Sequence, residues 1–517
     1  MKRRILSFIL LISMLVCAAC NTSESGNKES ETVKEENITE KATETEAETE
    51  PDLTREAYDY DYDGSAIGTG IGVNPGRVVW GYDDDLFTWD GNGLWWNESN
   101  YDEAALYTLL EESICALAGK EDITSALDAL FINFNERVNG VSEGYKKGQK
   151  IAIKGNMNVT SSNDESDTTT KYGYFPAPLT IKSLLLILVR YGVEPSDITF
   201  YDTSRSIPDF IRKICTTGEL QGVNIASFYA DNSVCDTTKP ILWSHDFSSD
   251  NWSFYNGYPT VNPTYYPTFV TEATYLINLF NLRGHTLAGF TASAKNHFGS
   301  IMPGYTTKTG LVLFPDGYRI NPPIYAGVHH YIAARDYIDT PSEIWNLPMR
   351  EFGTYNCLVD LMSNADCGGK TFLYICDALA STVTQGSILT NSEKFYSTPF
   401  GVGSKNGTGW TNSYFVSQDP VAIDSVCLDF LLREQRVANS LGDTKWNSWL
   451  IEGGTAENYL IEAALADNPP SGTLYQDGYG NPVSSLGVHE RWNNDTDMNY
   501  SRNLGKDEGI ELYRVIK

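Results

Sequence analysis

The central part of the sequence alternates between short and longer apolar segments. Residues 149–155, 197–202 and 223–229 are short and apolar, which predicts buried strands. Between them, residues 179–191 and 207–216 have the length and spacing of helices. A β-α-β-α-β order predicts parallel strands joined by right-handed crossovers. This alternation predicts an α/β fold with a mostly parallel sheet.

The same alternation resumes further along the chain. Residues 275–282 and 371–376 predict two more buried strands, and residues 420–433 predict a helix. Residues 236–268 interrupt the pattern, because they are crowded with Pro, Tyr, Trp and Asn and predict a long loop or insertion. The expected architecture is therefore a sheet built from β-α-β units, with aromatic-rich loop insertions.

The length and charge of the chain limit the function classes. With 517 residues, of which 41% are hydrophobic, the chain can bury the core of one very large domain or of two. Its formal net charge is -29. A nucleic-acid partner requires a basic surface for phosphate contacts, so this acidic balance argues against one.

The amino terminus has the pattern of an export signal. A basic Lys-Arg-Arg segment precedes an apolar segment, residues 5–16, which is too short to span a membrane, and Cys20 follows two alanines. This pattern resembles a bacterial lipoprotein signal. The resemblance implies a signal peptide at residues 1–19 and a diacylated Cys20, with simple secretion as the alternative.

The segment after Cys20 differs in composition from the rest. Residues 20–63 are rich in Glu, Thr and Ser and poor in large apolar side chains, which predicts a disordered acidic tether. Residues 64–517 then form the α/β region, as one domain or two subdomains. We expect an extracytoplasmic protein that the lipid at Cys20 anchors to the cell membrane.

Residues 284–304 are the strongest candidate for chemistry. They place His285, Lys295 and His297 among Gly, Ala and Ser, directly after a predicted buried strand. Open α/β sheets bind ligands at the carboxyl ends of their strands. A histidine can move a proton near neutral pH, and a desolvated lysine can become nucleophilic. We predict His285 and Lys295 as catalytic residues. The alternative is that these side chains only satisfy local hydrogen bonds.

Other polar residues follow neighbouring predicted strands. Asp202 and Arg205 come after the strand at 197–202, and Lys154 and Asn156 lie at the end of the strand at 149–155. With Asn296, they form the predicted binding set for a cofactor or a small anion. A structural salt bridge between Asp202 and Arg205, and a loop with satisfied hydrogen bonds at Lys154, are the alternatives.

The sequence also offers candidate metal ligands. His297, His329 and Asp377 have suitable side chains, and His329 falls in a predicted helix at residues 325–337. Asp419 and Asp424 are weaker candidates, because Asp419 before a proline is typical of a helix N-cap. The seven cysteines beyond Cys20 show no C-x-x-C spacing, which argues against zinc ribbons and iron–sulfur clusters. The sequence leaves open whether Cys215 and Cys235 form a disulfide.

Several ordered segments together resemble a bacterial family, domain of unknown function 362. The segments are residues 72–80, 95–96, 126–135, 144–154, 197–205, 283–285, 294–299, 374–379 and 417–425. Where that family usually has a lysine two residues before the histidine of this motif, the chain has Arg283. The family carries no established activity.

A shorter segment resembles the nickel-pincer-dependent lactate racemases. His285 precedes an Ala-Gly-Phe-Thr segment and stands ten residues before Lys295, as in the racemase motif. The resemblance implies that Lys295 would hold a cofactor and that His285 would act as acid and base.

Two functions remain open on the sequence. The first is a metal- or cofactor-dependent enzyme that acts on a small anionic metabolite at His285 and Lys295. The second is a non-catalytic ligand- or glycan-binding lipoprotein, because aromatic residues can present flat faces to sugars. These aromatic residues are Trp95, Trp96, Trp243, Trp252, Phe254, Tyr255, Tyr265 and Tyr266. An exposed aromatic groove away from His285 would favour glycan binding, and aromatic walls around His285 would favour catalysis.

Overall fold

A nine-stranded sheet forms the centre of the part of the chain that the structure describes. The computed structural model describes residues 55–158, 160, 173–227, 235–246, 265–285, 288–301, 305–307, 310–312, 330–332, 352–384, 386–401, 407–448 and 455–517. In chain order, the strands are β1 (Ile67–Gly68), β2 (Arg77–Tyr82), β3 (Ile151–Gly155), β4 (Ile198–Asp202), β5 (Asn224–Ser227), β6 (Cys235–Pro240), β7 (Tyr265–Pro267), β8 (Tyr275–His285), β9 (Gly289–Thr291), β10 (Tyr305–Thr307), β11 (Gly310–Val312), β12 (Thr371–Thr382), β13 (Ser413–Ser417), β14 (Val488–His489) and β15 (Glu511–Ile516). The central sheet has the order β15-β2-β13-β12-β8-β3-β4-β5, and β9 pairs with β8.

Most strands of this sheet run in one direction. Strands β12, β8, β3, β4 and β5 pair in parallel, and so do β15 and β2. Strand β13 is antiparallel to both of its neighbours, and β9 folds back antiparallel onto β8. The predicted α/β fold with a mostly parallel sheet is confirmed.

The strand order changes direction between β3 and β8. From β3 the chain continues to β4 and β5 on one side, whereas β8, β12 and β13 lie on the other side. Where parallel strands diverge in this way, a crevice opens at their carboxyl ends, and ligands of open α/β sheets bind there. The segments that follow β3 and β8 therefore meet at the expected position of a ligand site.

Helices cover both faces of the sheet. In chain order they are α1 (Glu103–Ala118), α2 (Ile123–Asn139), α3 (Pro178–Tyr191), α4 (Asp209–Cys215), α5 (Thr268–Thr271), α6 (Ser293–His297), α7 (Cys357–Ser363), α8 (Pro420–Ser440) and α9 (Asn458–Ala464). Ile151 and Ile153 of β3 pack in one core with α1, α2 and α3, whereas Ala152 lies in a second core with α7, α8 and α9. Burial on both faces explains why the strands have continuous apolar sequences.

Local sequence chemistry sets the ends of two predicted helices. Asp419 caps α8, because its side chain accepts hydrogen bonds from the N–H groups of Val421 and Ala422. Gly192 ends α3 with φ of 120°, and its N–H donates to the carbonyl of Leu188. Both ends agree with the sequence prediction.

The structure differs from the sequence prediction in two places and answers a third question, the Cys215–Cys235 disulfide, that the sequence left open. Strand β8 continues to His285, three residues beyond the predicted end at residue 282. The ends of the predicted insertion at residues 236–268 are strands, since β6 and β7 pair antiparallel, while residues 247–264 lie outside the described residues. Cys215 is a free, buried thiol, so the disulfide with Cys235 does not form.

Segment Leu53–Lys517 forms one compact unit. The predicted signal peptide, Cys20 and most of the predicted tether lie outside the described residues, as does most of the predicted helix at 325–337. Among the helices that the structure describes, none combines the length and the apolar character needed to cross a membrane.

Candidate active site

A pocket opens at the carboxyl ends of β3, β4 and β8. It encloses about 310 Å³ of empty space, part of which is open to solvent. Every residue that lines it is polar or glycine, so the pocket suits a small polar molecule. The lining residues are Lys154, Asn156, Asn158, Asp202, Ser204, His285, Thr291, Lys295, Asn296 and Gly299.

Lys154 forms the buried floor of the pocket. Its Nζ donates to the carbonyl of Gly155 at 2.7 Å, to Asp202 Oδ2 at 3.1 Å and to Asn296 Oδ1 at 3.1 Å. Burial lowers the pKa of Lys154, and the carboxylate of Asp202 opposes this shift. Three acceptors satisfy all three N–H donors of the ammonium group. Lys154 therefore ties β3 to β4 and to α6.

Asp202 is fully occupied by protein donors. Besides Lys154, it accepts hydrogen bonds from the backbone N–H of Met157 at 3.0 Å and from the N–H and hydroxyl of Ser204, both at 2.9 Å. A carboxylate with four such partners has little capacity left for a ligand. The predicted alternative of a structural salt bridge is correct for Asp202, but its partner is Lys154 instead of Arg205.

The short helix α6 presents Lys295 to the pocket. Asp424 of α8 accepts hydrogen bonds from the N–H groups of Ser293 at 2.8 Å and Ala294 at 3.0 Å, which fixes the start of α6. Asn296 donates to Asn278 Oδ1 at 2.8 Å. The other four residues of α6 are buried, whereas Lys295 is half-buried. The helix is thus held on its buried sides, and Lys295 faces the opening.

Lys295 differs from Lys154 in its contacts. Its Nζ lies 4.5 Å from the centre of the Phe298 ring, and among the described residues it forms no salt bridge or hydrogen bond. Burial lowers the pKa of Lys295 to about 7, and the nearby charges of Arg205 and Lys154 add to the shift. At neutral pH, a substantial fraction of Lys295 is therefore an uncharged amine.

His285 lies at the last position of β8 and reaches the same pocket. Its Nδ1 accepts a hydrogen bond from the backbone N–H of Ala288 at 3.2 Å. Because Nδ1 accepts, the neutral ring carries its proton on Nε2. Strand β8 is buried along its whole length and pairs with β3, β9 and β12, so the position of His285 is rigidly defined. The structure thus brings His285 and Lys295 together at one pocket, as predicted.

Two arginines contact the residues that line the pocket. Arg205 donates from Nε to the carbonyl of Asn158 at 2.6 Å and from a terminal nitrogen to Asn158 Oδ1 at 3.0 Å. Arg283 is fully buried and donates to Asn156 Oδ1 at 2.5 Å and to the carbonyl of Tyr174 at 2.7 Å. Neither arginine has a carboxylate partner among the described residues. Burial lowers the pKa of Arg283 to about 10, so it keeps its charge at neutral pH.

Two buried polar atoms near the pocket lack partners in the described part of the chain. These are the hydroxyl oxygen of Thr291, which lines the pocket, and Nε of Arg283. An unsatisfied buried polar group costs about 1–3 kcal/mol, so a partner that supplies the missing hydrogen bond is favoured. A polar ligand in the pocket can meet Thr291 directly.

Most of the predicted site residues gather here. His285, Lys295, Lys154, Asn156, Asp202 and Asn296 all line the pocket, and Arg205 contacts its lining. Three further lining residues, Ser204, Thr291 and Gly299, were not predicted from the sequence. A Cβ atom at Gly299 would lie 2.7 Å from Lys154 Nζ, so only glycine fits beside the floor of the pocket. The glycine in the Phe-Gly-Ser segment after α6 was the available signal, but sequence alone did not indicate its neighbour.

The predicted metal ligands have protein partners instead. His297 is buried, with Nε2 at 3.0 Å from Asn278 and Nδ1 at 3.6 Å from Cys367, and burial lowers its pKa to about 3. Asp377 accepts hydrogen bonds from Ala177 at 2.7 Å and from Tyr174 at 3.2 Å. His329 lies outside the described residues. His297 and Asp377 thus have separate surroundings, and neither lines the pocket.

The residues around the pocket do not fit a metal centre built on protein ligands. Among the described lining residues, His285 and Asp202 are the side chains of the type that commonly binds transition metals, and Asp202 is already occupied. Asp419 and Asp424, the other acidic candidates, accept backbone hydrogen bonds at the starts of α8 and α6. The metal assignment therefore finds no support in this arrangement.

The described aromatic residues do not form a sugar-binding surface. Trp95 and Tyr266 are buried, and the ring of Trp96 stacks on Phe210 at 3.9 Å. Trp243 packs against the core, and residues 252–255 lie outside the described residues. No aromatic residue is among those that line the pocket. These residues therefore supply neither an exposed aromatic groove away from His285 nor aromatic walls around His285.

A second cluster of reactive side chains lies away from the pocket. Ser425 Oγ is 2.8 Å from His489 Nδ1, and His489 Nε2 is 3.1 Å from Glu457 Oε1. The order Ser-His-Glu has the appearance of a hydrolase triad. All three residues are buried, and Ser425 donates its proton to the carbonyl of Val421 at 2.7 Å. The cluster, here named the Ser425 cluster, is therefore closed to substrate and serves as a structural connection.

Comparisons with known proteins bear on the region that contains the pocket. No curated protein matches the sequence. Among solved structures, the lactate racemase apoprotein from Thermoanaerobacterium thermosaccharolyticum is similar, with 11% sequence identity and a TM-score of 0.27. The match covers 62% of this chain and 56% of the racemase chain, so the chain spans little more than half of that protein.

A family model also matches the part of the chain that supplies His285 and Lys295. The matched segment contains β8, α6 and β12, whereas Lys154 and Asp202 precede it. Residues 244–429 match the family described as Domain of unknown function (DUF362), which confirms the family resemblance of this chain.

Proposed function

We propose that the pocket binds a small anionic metabolite and that the protein is an enzyme acting on it through Lys295 and His285. The observation that carries this proposal is the charge of the pocket. Lys295 lines the pocket, and Arg205 and Arg283 contact residues of its lining, all without a carboxylate partner among the described residues. The acidic residue in the lining, Asp202, is paired with Lys154.

Such a cluster of cations is unfavourable without a counter-charge. A buried charge loses its hydration, and like charges repel more strongly where solvent is excluded. The chain as a whole has a net charge of -29, so the positive pocket contrasts with its average surface. A carboxylate or a phosphate would supply both the missing charge and the missing acceptor atoms. The polar lining, with no apolar side chain, favours the same type of ligand.

The two reactive side chains have complementary capacities. Lys295 has a pKa of about 7, so it can exchange a proton at neutral pH or attack an electrophile as a free amine. His285 lines the same pocket, and an imidazole can take up and release a proton near neutral pH. Their presence at one rim supports proton transfer on a bound anion.

Binding measurements with matched variants test the proposal. Isothermal titration with pyruvate, lactate and inorganic phosphate should detect binding of at least one anion to the wild type. Arg205→Gln removes a positive charge next to Asn158, which lines the pocket, and should weaken that binding about tenfold, equivalent to about 1.4 kcal/mol. Lys150→Gln is the control, because Lys150 precedes the other end of β3 and pairs with Glu272 on the surface. Equal affinities of the two variants would contradict the assignment of the pocket.

We also propose that the protein is held outside the cytoplasm by a lipid at Cys20. The supporting pattern is the basic segment, the short apolar segment and the alanine pair that precede this cysteine. Metabolic labelling with a fatty acid in the native host should modify the wild type but not Cys20→Ala. Label retained by Cys20→Ala would contradict this proposal.

A further inference from the structure

We propose that Lys295 forms a Schiff base with the carbonyl group of a small anion of the 2-oxo acid type. This inference rests on the proposed function and names the substrate class of the same pocket. A 2-oxo acid combines the two features that the pocket can recognise, namely a carboxylate and an adjacent electrophilic carbon.

The first argument is the contrast between the two lysines of the pocket. Lys154 has three acceptors around Nζ, so its nitrogen is committed to hydrogen bonds. Lys295 has the ring of Phe298 beside its Nζ and no acceptor among the described residues. A nucleophilic amine needs a free lone pair and access to the substrate, and Lys295 has the contacts of such an amine.

The surroundings of Lys295 Nζ favour an uncharged amine. Burial removes hydration from the amine, and the positive charges of Lys154 and Arg205 disfavour another ammonium ion. Both effects favour the neutral amine. The same cations attract the carboxylate of the substrate, so one arrangement supports binding and nucleophilicity.

The third argument is the unpartnered hydroxyl of Thr291. It is buried, it lines the pocket, and its oxygen has no partner in the described part of the chain. This hydroxyl can donate to the carbonyl oxygen of the substrate and polarise the carbon that the amine attacks. His285 lines the same pocket, where its imidazole can relay a proton from the attacking amine to that oxygen.

The reaction balances without any further reagent. The Nζ lone pair attacks the carbonyl carbon, a C–N bond forms, and one proton passes from the nitrogen to the oxygen to give a neutral carbinolamine. The second nitrogen proton then passes to the hydroxyl group, the C–O bond breaks, and water leaves. His285 or water in the solvent-open pocket can relay both protons and ends in its starting protonation state. The products are an imine on Lys295 and one molecule of water, with no change of oxidation state.

Reductive trapping tests the inference directly. Purified wild-type protein is incubated with pyruvate and sodium borohydride, and intact mass spectrometry with peptide mapping follows. We expect one reduced pyruvyl adduct per chain, located on Lys295, and more than tenfold less adduct in Lys295→Arg. Lys370→Arg is the matched control, since Lys370 is another partly buried lysine, but it is hydrogen-bonded to Thr271 and lies outside the pocket. This control should be labelled as the wild type is.

Peptide mapping of the wild type keeps the test decisive even if a variant misfolds. An adduct on another lysine, or none, overturns the inference. Calorimetry with pyruvate on the same preparation separates the two proposals. Binding of pyruvate without an adduct overturns the Schiff base and leaves the anion site standing. If pyruvate neither binds nor reacts but phosphate or lactate binds, the inference is again overturned and the anion site stands. If none of the three binds, both proposals fail.

Discussion

The pocket and the Ser425 cluster contain similar functional groups in opposite states. In the Ser425 cluster, hydrogen bonds of 2.8 and 3.1 Å connect a hydroxyl, an imidazole and a carboxylate, but every group is buried and engaged. In the pocket, Lys295 and Thr291 have capacity that no described residue uses, and the space beside them is open. The comparison shows that unused hydrogen-bonding capacity with access, more than the order of residue types, marks a site for chemistry.

The largest expected effect lies in the Ser425 cluster. Burial opposes ionisation of Glu457, but hydrogen bonds from Arg491 and His489 lower its pKa to about 2. Glu457→Gln removes the carboxylate that pairs with Arg491 and lies within hydrogen-bond distance of His489, and it should cost about 3–5 kcal/mol in the free energy of unfolding. Urea denaturation measures this loss. The control Glu143→Gln removes an exposed salt bridge and should cost less than about 1 kcal/mol.

Ligand binding measured in the same variant tests whether the pocket is independent of the Ser425 cluster. Anion affinity of folded Glu457→Gln should equal that of the wild type, because Glu457 does not line the pocket. Reduced affinity with normal folding would show that the two regions are not independent.

A steric change at the floor of the pocket should have an intermediate effect. In Gly299→Ala, the new methyl group would meet Nζ and Cε of Lys154 at 2.7 and 2.8 Å, and three hydrogen bonds hold that lysine in place. We expect a loss of about 1–3 kcal/mol in unfolding free energy, together with weaker anion binding. Gly144→Ala is the control, since its nearest neighbour would be 3.8 Å away. Equal stability of the two alanine variants would contradict the packing described for Lys154.

Removing the amine of Lys295 should separate binding from stability. Lys295→Met should bind the anion about tenfold more weakly, while its unfolding free energy stays equal to or above that of the wild type, since no described hydrogen bond is lost. Lys370→Met is the comparison, because it loses a hydrogen bond of 2.7 Å and an ion pair with Asp366 and should be less stable. A large loss of stability in Lys295→Met would place Lys295 with the structural residues.

The last expected effect is the pH dependence that Lys295 contributes. Its folded-state pKa of about 7 lies below the ordinary value of 10.5, so the unfolded chain binds more protons between these two values. Lys295 therefore lowers the free energy of unfolding at low pH. This destabilisation is complete below about pH 7 and disappears as the pH rises from about 7 to 10.5. The stability difference between Lys295→Met and wild type should narrow as pH rises through this window in urea titrations. A constant difference would indicate that Lys295 is not desolvated.

The sequence predicted the sheet well because the signals are local. Strands β3, β4 and β12 are short or continuous apolar segments buried on both faces, and periodicity identifies them without knowledge of neighbours. His285 and Lys295 were found for the same reason, since they follow a buried strand and strand ends gather ligands. The length of β8 was underestimated because Arg283 and His285 are polar but buried.

The sequence could not assign partners across the fold. His297 was predicted as a metal ligand from its residue type, but its ring meets Asn278 and Cys367, which are 19 and 70 residues away. Within α6, residues 295 and 297 point to different sides, because each residue turns the helix by about 100°. Only the structure shows that one of them faces the pocket and the other the core.

The hydrogen bonds that fix α6 determine which of its positions can change during evolution. Asp424 secures the backbone at its first turn, and the amide of Asn296 anchors the opposite side, while position 295 contributes nothing to that attachment. The side chain at position 295 can therefore be replaced without loss of the hydrogen bonds that hold α6 in place. A single substitution at position 295 can therefore change the functional group at the pocket while the backbone around it stays the same.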